Sequence, residues 1–135
     1  MLFPDEIAES SWSFFKAMLE SMLYIEENCV VEVEATLPEL IVELKEQYPD
    51  QVRVYFVRYT DISIEEKVWN IKKCGGGKTD WLIDKSDEYI RDHVNNMIAH
   101  SKKIQYSCQE NNIKYFDTSK SFLKTIEKTM QYLLM

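Results

Sequence analysis

Gly75-Gly76-Gly77-Lys78-Thr79 is the stretch whose residue types come closest to phosphate chemistry. Consecutive glycines let backbone amides converge on an anion, and the Lys and Thr that follow could supply a cation and a Mg²⁺-binding hydroxyl, as in the G-x-x-x-x-G-K-[ST] loop. The pattern departs from that loop twice. Lys72 stands five residues before Gly77, where the first glycine belongs, and the stretch follows a helical pattern instead of leading from a buried strand into a helix. Other chemistries have fewer of their parts. His93 and His100 lie seven apart on one helical face, with no Cys or carboxylate pattern to complete a metal site. Cys29, Cys74 and Cys108 are odd in number and widely spaced, so ordinary reduced thiols are expected. No G-x-S-x-G elbow marks a nucleophilic serine, and the 23 Asp and Glu are too dispersed to nominate an acid–base pair.

The elements that would position these residues follow from periodicity. Gln51–Thr60 is the densest β-branched and aromatic run and reads as a central strand over 52–60, with apolar groups on both faces and cover expected on both. Before it, residues 5–26 carry Ile7, Phe14, Phe15, Met18, Leu19, Met22, Leu23 and Ile25 at helical spacing, assigned to the core. Cys29–Ala35 reads as a strand, with Thr36 capping a helix that has Pro38 near its first position; strand, helix and central strand then form a βαβ unit. Ser63-Ile64-Glu65-Glu66 is a capping box, opening a helix with Val68, Trp69 and Ile71 inward that the glycines end. Ser86 caps a long helix to about Glu110, with Ile90, Val94, Met97, Ile98, Ile104 and Cys108 inward, and Asn111 and Asn112 stop it. Residues 113–117 form a third strand. Thr118 or Ser119 then caps a last helix, whose face of Phe122, Ile126, Met130, Leu133 and Leu134 is expected to pack on the sheet.

Length and charge limit the function classes. One α/β domain spanning 1–135 is expected from a chain of this length. A net charge of −7 argues against general nucleic-acid binding, which needs a basic face. The basic residues nevertheless cluster between Lys67 and Lys103, which is compatible with a local anion site. No apolar run approaches the roughly 20 residues of a membrane span, and the N-terminus lacks signal-peptide features, so no membrane association and a cytoplasmic location are expected.

Several stretches in this order carry a resemblance: Val30-Val31-Glu32-Val33-Glu34 with Leu37-Pro38-Glu39-Leu40, Val54–Tyr59, Asp80-Trp81-Leu82, Ser101-Lys102, and Tyr115-Phe116-Asp117-Thr118-Ser119. Together they resemble the C-terminal part of small P-loop kinases of the adenylate-kinase-like type. The resemblance implies a three-layer αβα fold with a parallel sheet of strands 29–35, 52–60 and 113–117 flanked by about five helices. It also implies a lid near Lys72–Asp84 and a base-proximal loop near Asp117–Ser119. On that pattern Asp80 and Trp81 lie in the lid, Lys78 and Lys102 contact phosphate or substrate, and Thr118 and Ser119 flank a nucleotide base. Glu32, Glu34 and Arg58 fall on the substrate side, where Val33 and Arg58 would narrow the site. The family's first strand and phosphate loop should precede the opening helix, and this chain begins at that helix, so phosphoryl transfer by it alone is not expected. The loss would leave a sheet edge open and favour a homodimer, with an exchanged N-terminal helix as one route. The expected function is that of a non-catalytic P-loop-kinase-like protein acting by self-association or by binding a partner or an anionic small molecule, with no cofactor. The alternative is a nucleotide-dependent small-molecule kinase using ATP and Mg²⁺, its phosphate loop absent from this chain.

Overall fold

The computed structural model describes residues 4–77 and 80–135, so Lys78 and Thr79 lie outside the described residues. Its elements are α1 (Pro4–Tyr24), α2 (Pro38–Gln47), β1 (Tyr55–Arg58), α3 (Ile64–Cys74), α4 (Asp87–Glu110), β2 (Lys114–Asp117) and α5 (Phe122–Leu134). Among the described residues this is an α/β fold of five helices and a two-stranded parallel sheet. No described helix is long and apolar enough to cross a membrane. The chain divides into two compact units, residues 1–55 with 107–114 and residues 56–106 with 115–135.

The strand expected at 29–35 does not form. That stretch is irregular, and Val30 stands 77% exposed. β-Branched residues favour a pleated surface only where a neighbouring strand and a packed face reward it, and here neither is present. The βαβ unit through α2 is therefore absent. The parallel pair is β1 with β2, and the connection between them carries α3 and α4. β1 is also shorter than the expected 52–60, and only one of its faces is well covered: Phe56 is buried while Val57 is 38% exposed.

In the first unit the buried residues are Ala8, Leu37, Pro38, Ile41, Leu44, Cys108 and Ile113. Lys16 Nζ donates to Glu43 at 2.6 Å, tying α1 to α2, and this hydrogen bond raises the lysine's pKa. Ser107 Oγ donates to Glu39 at 2.5 Å, and Lys45 Nζ to the Asn112 carbonyl at 2.7 Å. The apolar stripe of α1 is not all core as expected. Ala8 is its buried residue, whereas Phe14 is 77% exposed, because the apolar positions span more of the helix circumference than α2 covers. Leu37 rather than Thr36 occupies the cap of α2, and the Thr36 hydroxyl has no hydrogen-bond partner. The predicted asparagine stop is present. Asn112 takes a positive φ of 51°, Ile113 N–H bonds Cys108 C=O at 2.8 Å, and Asn112 N–H bonds Gln109 C=O at 3.3 Å, a Schellman closure with asparagine in the left-handed position.

In the second unit Val68, Ile90, Val94 and Ile98 form a buried cluster, with Tyr59, Ile62, Ile64, Ile71 and Leu82 packed against it. The i, i+4, i+8 spacing of Ile90, Val94 and Ile98 is the inward stripe expected of α4. Ser63 Oγ accepts from Glu66 N–H at 3.1 Å, and Ser86 Oγ from Tyr89 N–H at 3.2 Å, as both caps predict. Trp69, expected inward on α3, is exposed, with Lys73 Nζ 4.6 Å from its ring centre. The expected face of α5 is inward only in part. Ile126 and Leu133 are half-buried as expected, and they share the inward side with Thr125, Thr129 and Tyr132: Thr125 Oγ1 donates to the Asp117 carbonyl at 3.2 Å, and the Tyr132 ring meets Phe116 at 5.9 Å. These contacts rotate Phe122, Met130 and Leu134 toward solvent.

Candidate functional site

Two places in the second unit could bind a ligand. The first is where both strands end. β1 and β2 run parallel, so the loops that leave them meet on one side, the usual ligand side of an open α/β sheet. Thr118 N–H and Oγ1 both reach the Arg58 carbonyl, at 2.9 and 3.1 Å. Ser119 Oγ donates to Asp117 and accepts from the amides of Thr60 at 3.0 Å and Asp61 at 2.9 Å. One donated and two accepted bonds saturate a hydroxyl, so no capacity remains at Ser119 for a ligand. Asp117 Oδ1 also accepts from the amides of Thr60 at 3.1 Å and Ser119 at 2.9 Å. Burial acts to raise the Asp117 pKa, but the Ser119 hydroxyl and the amides of Ser119, Thr60 and Asp61 outweigh it and hold the carboxyl below its usual value. Thr60 Oγ1 pairs with Tyr115 OH at 2.6 Å beneath this cluster. The arrangement is a brace that locks two loops together. The cap on α5 expected from Thr118 or Ser119 does not form, because their side chains are engaged here and Ser121 occupies the cap position.

The second place is a cavity of about 330 Å³ beside the glycines, lined by Ile71, Lys72, Gly76, Asp80, Lys85 and Asp87 among others. Gly75 closes α3, its N–H bonding Ile71 C=O at 2.7 Å; a Cβ there would lie 2.6 Å from that same oxygen and 2.5 Å from Asp80 Oδ2. Only glycine fits. Gly76 follows with φ of +106°, and its N–H donates to Asp80 Oδ2 at 3.0 Å, while Leu82 N–H donates to Asp80 Oδ1 at 3.0 Å. The amide available to cradle a phosphate thus already holds a carboxylate of the same chain. Lys72 pairs with Asp87, and this hydrogen bond and its charge lower the Asp87 pKa. Lys72 and Lys85 against Asp80 and Asp87 leave these four lining charges balanced.

The remaining predicted residues scatter. Trp81 is half exposed and stacks edge-on against His93 at 5.0 Å and Tyr89 at 6.4 Å, with Lys85 Nζ 5.4 Å from the Tyr89 ring. Sequence reading missed this aromatic group, although Tyr89 and His93 stand i, i+4 on one helix. Lys102 is exposed on α4. Lys78 lies outside the described residues. Glu32 and Glu34, expected at a strand end, are exposed in the irregular stretch, since that strand is absent. Arg58 is half-buried on β1. Lys67, the first residue of the basic cluster, is engaged by an aromatic ring. Its Nζ sits 3.9 Å over the Tyr59 ring, where burial lowers the lysine's pKa and raises the tyrosine's. Among the described residues no group of three His, Cys, Asp or Glu could hold a metal ion. No family model, curated protein or solved structure matches the chain.

Proposed function

We propose that the chain is a non-catalytic protein built on a P-loop-kinase-like three-layer αβα plan, and that it works by self-association as a homodimer. The observation that carries this reading is the apolar surface left in water on α5, where Phe122 and Leu123 are mostly exposed and Leu134 is 84% exposed. Large apolar side chains gathered on one helix mark interaction surfaces, since their burial contributes roughly 25 cal/mol per Å². The Asp80 carboxylate on the Gly76 amide supports the non-catalytic part, because it takes the place a phosphate would need. Sedimentation equilibrium over a wide concentration range tests the reading. A mass of twice 16.1 kDa is expected, and 16.1 kDa at every concentration would overturn it.

A second reading is supported by the cavity beside Gly76 and its two lysines: an anionic small molecule, or ATP with Mg²⁺ in a nucleotide-dependent kinase. Calorimetric titration with ATP, with and without Mg²⁺, separates the two. Micromolar Mg²⁺-dependent binding would favour the kinase, and the homodimer reading predicts no heat.

A further inference from the structure

The outward side of α1 carries a pattern that its packing on α2 does not use. Ile7, Ser10, Phe14, Ala17, Ser21 and Tyr24 follow one another at alternating steps of three and four residues, and all six are exposed. That alternation is the a/d spacing of a heptad, which keeps one seam facing a partner helix over its whole length. The seam lies within the first compact unit and carries no charge. Asp5, Glu6, Glu9, Lys16 and Glu20 all fall off it, and Lys16 is tied to Glu43 of the same chain. The outer stripe of a helix that meets only water is ordinarily charged or polar, so six uncharged positions in a chain with 29% charged residues mark a contact surface.

The order of large and small side chains along the seam fits a second copy running antiparallel. A two-fold axis midway between Phe15 and Lys16 sets Phe14 against Ala17, Ser10 against Ser21 and Ile7 against Tyr24, each pair twice. The Phe14 ring thereby meets the smallest side chain of the seam, as a knob meets a hole. Ser10 Oγ donates to the Ile7 carbonyl of its own helix at 3.1 Å, so covering it leaves that donor paired. Parallel pairing would instead set Phe14 on Phe14 and Ala17 on Ala17, crowding one level and leaving another open. Antiparallel helices also bring opposite ends of their dipoles together.

We propose that the outward seam of α1 is a self-recognition site, and that a second copy of this chain packs on it antiparallel, with Phe14 of each copy seated over Ala17 of the other. This rests on the homodimer reading above and assigns its two-fold contact to α1; the apolar residues of α5 are the competing interface, and the test separates the two. The occupant is a second copy because the seam supplies both the knob and the hole. Pairing also covers Tyr24, which stands 89% exposed, with Ile7 of the second copy.

The test exchanges knob and hole and reads the dimer by sedimentation equilibrium, with circular dichroism and urea unfolding to establish that each variant is folded. Both positions are exposed in the single chain, so neither change disturbs its core. Phe14→Ala empties one level on each side of the axis and is expected to weaken the dimer about tenfold. Ala17→Phe drives ring against ring at both levels and is also expected to weaken it about tenfold. The double variant sets a ring opposite an alanine again and is expected to return to within about threefold of the original affinity. Phe14→Glu puts a carboxylate into the seam and is expected to give a folded monomer. Single variants that weaken the dimer with no recovery in the double would overturn the seating of Phe14 on Ala17. A dimer that ignores the α1 variants, whether or not Leu123→Glu on α5 dissociates it, would overturn the α1 site and leave self-association standing. A monomer at every concentration in the unmodified chain would overturn both.

Discussion

The strand ends at Arg58–Asp61 and Tyr115–Ser119 and the stretch Asn28–Ala35 make an instructive pair. The first is a set of short polar residues, Thr60, Asp61, Asp117, Thr118 and Ser119, which taken singly would read as ordinary turn or cap residues. The second is Val30-Val31-Glu32-Val33, among the most strand-like runs in the chain by propensity. Yet in the polar set Thr60 is buried, Asp117, Thr118 and Ser119 are half-buried and the exposed Asp61 still bonds through its amide, whereas the valine run is irregular and mostly exposed. Strand propensity describes fit to a packed, paired surface, and without that surface it orders nothing. A few side-chain acceptors placed where backbone amides emerge from two strands fix a loop firmly, because each amide left unsatisfied would cost about 1–3 kcal/mol.

The largest expected effect that sharpens this contrast is in the core beside the brace. Ile90→Ala removes a side chain that is 4% exposed in the cluster holding Tyr59 and Ile62, and should lower the unfolding free energy by about 2–5 kcal/mol in urea titration. Asp117→Ala leaves the Thr60 and Ser119 amides without their carboxylate acceptor. It should cost about 1–3 kcal/mol by the same measurement, with the losses in amide protection centred on Thr60, Asp61 and Ser119.

The same carboxylate sets a pH dependence. Its folded-state pKa lies below the ordinary value, so the unfolded chain binds the proton more readily, and the Asp117 contribution to stability is complete above the ordinary carboxylate range. It is lost as pH falls through that range toward the folded-state value, beginning below about pH 5. Stability measured against pH should therefore fall less steeply on the acid side in Asp117→Asn than in the unmodified protein. Parallel curves would mean that the brace does not depend on the charge. At the small end, Val30→Ala should change stability by less than about 0.5 kcal/mol, since its side chain is already in water; a loss of 2 kcal/mol or more would show that the stretch is packed.

Much of the helical order was legible in the sequence. Ser63 and Ser86 are read correctly as caps because their bonds reach only three residues, and α4 is read correctly because one uninterrupted stripe faces one cluster. What failed depends on partners distant in sequence. α5 keeps Ile126 and Leu133 inward but turns Phe122, Met130 and Leu134 out, because Thr125 and Tyr132 find Asp117 and Phe116, contacts that leave no trace in helical periodicity. The candidate site was partly legible. The glycines mark a backbone turn that only glycine can make, but that Asp80 returns to occupy the Gly76 amide could not be read from composition.

Amide hydrogen exchange at Thr60, Asp61 and Ser119 tests the contrast most directly. If the Asp117 carboxylate and the Ser119 hydroxyl hold the two strand ends together, these amides exchange far more slowly than those of Val30 and Glu32 in the irregular stretch. If all exchange equally fast, the side-chain acceptors do not lock the loops and the contrast between the two regions fails.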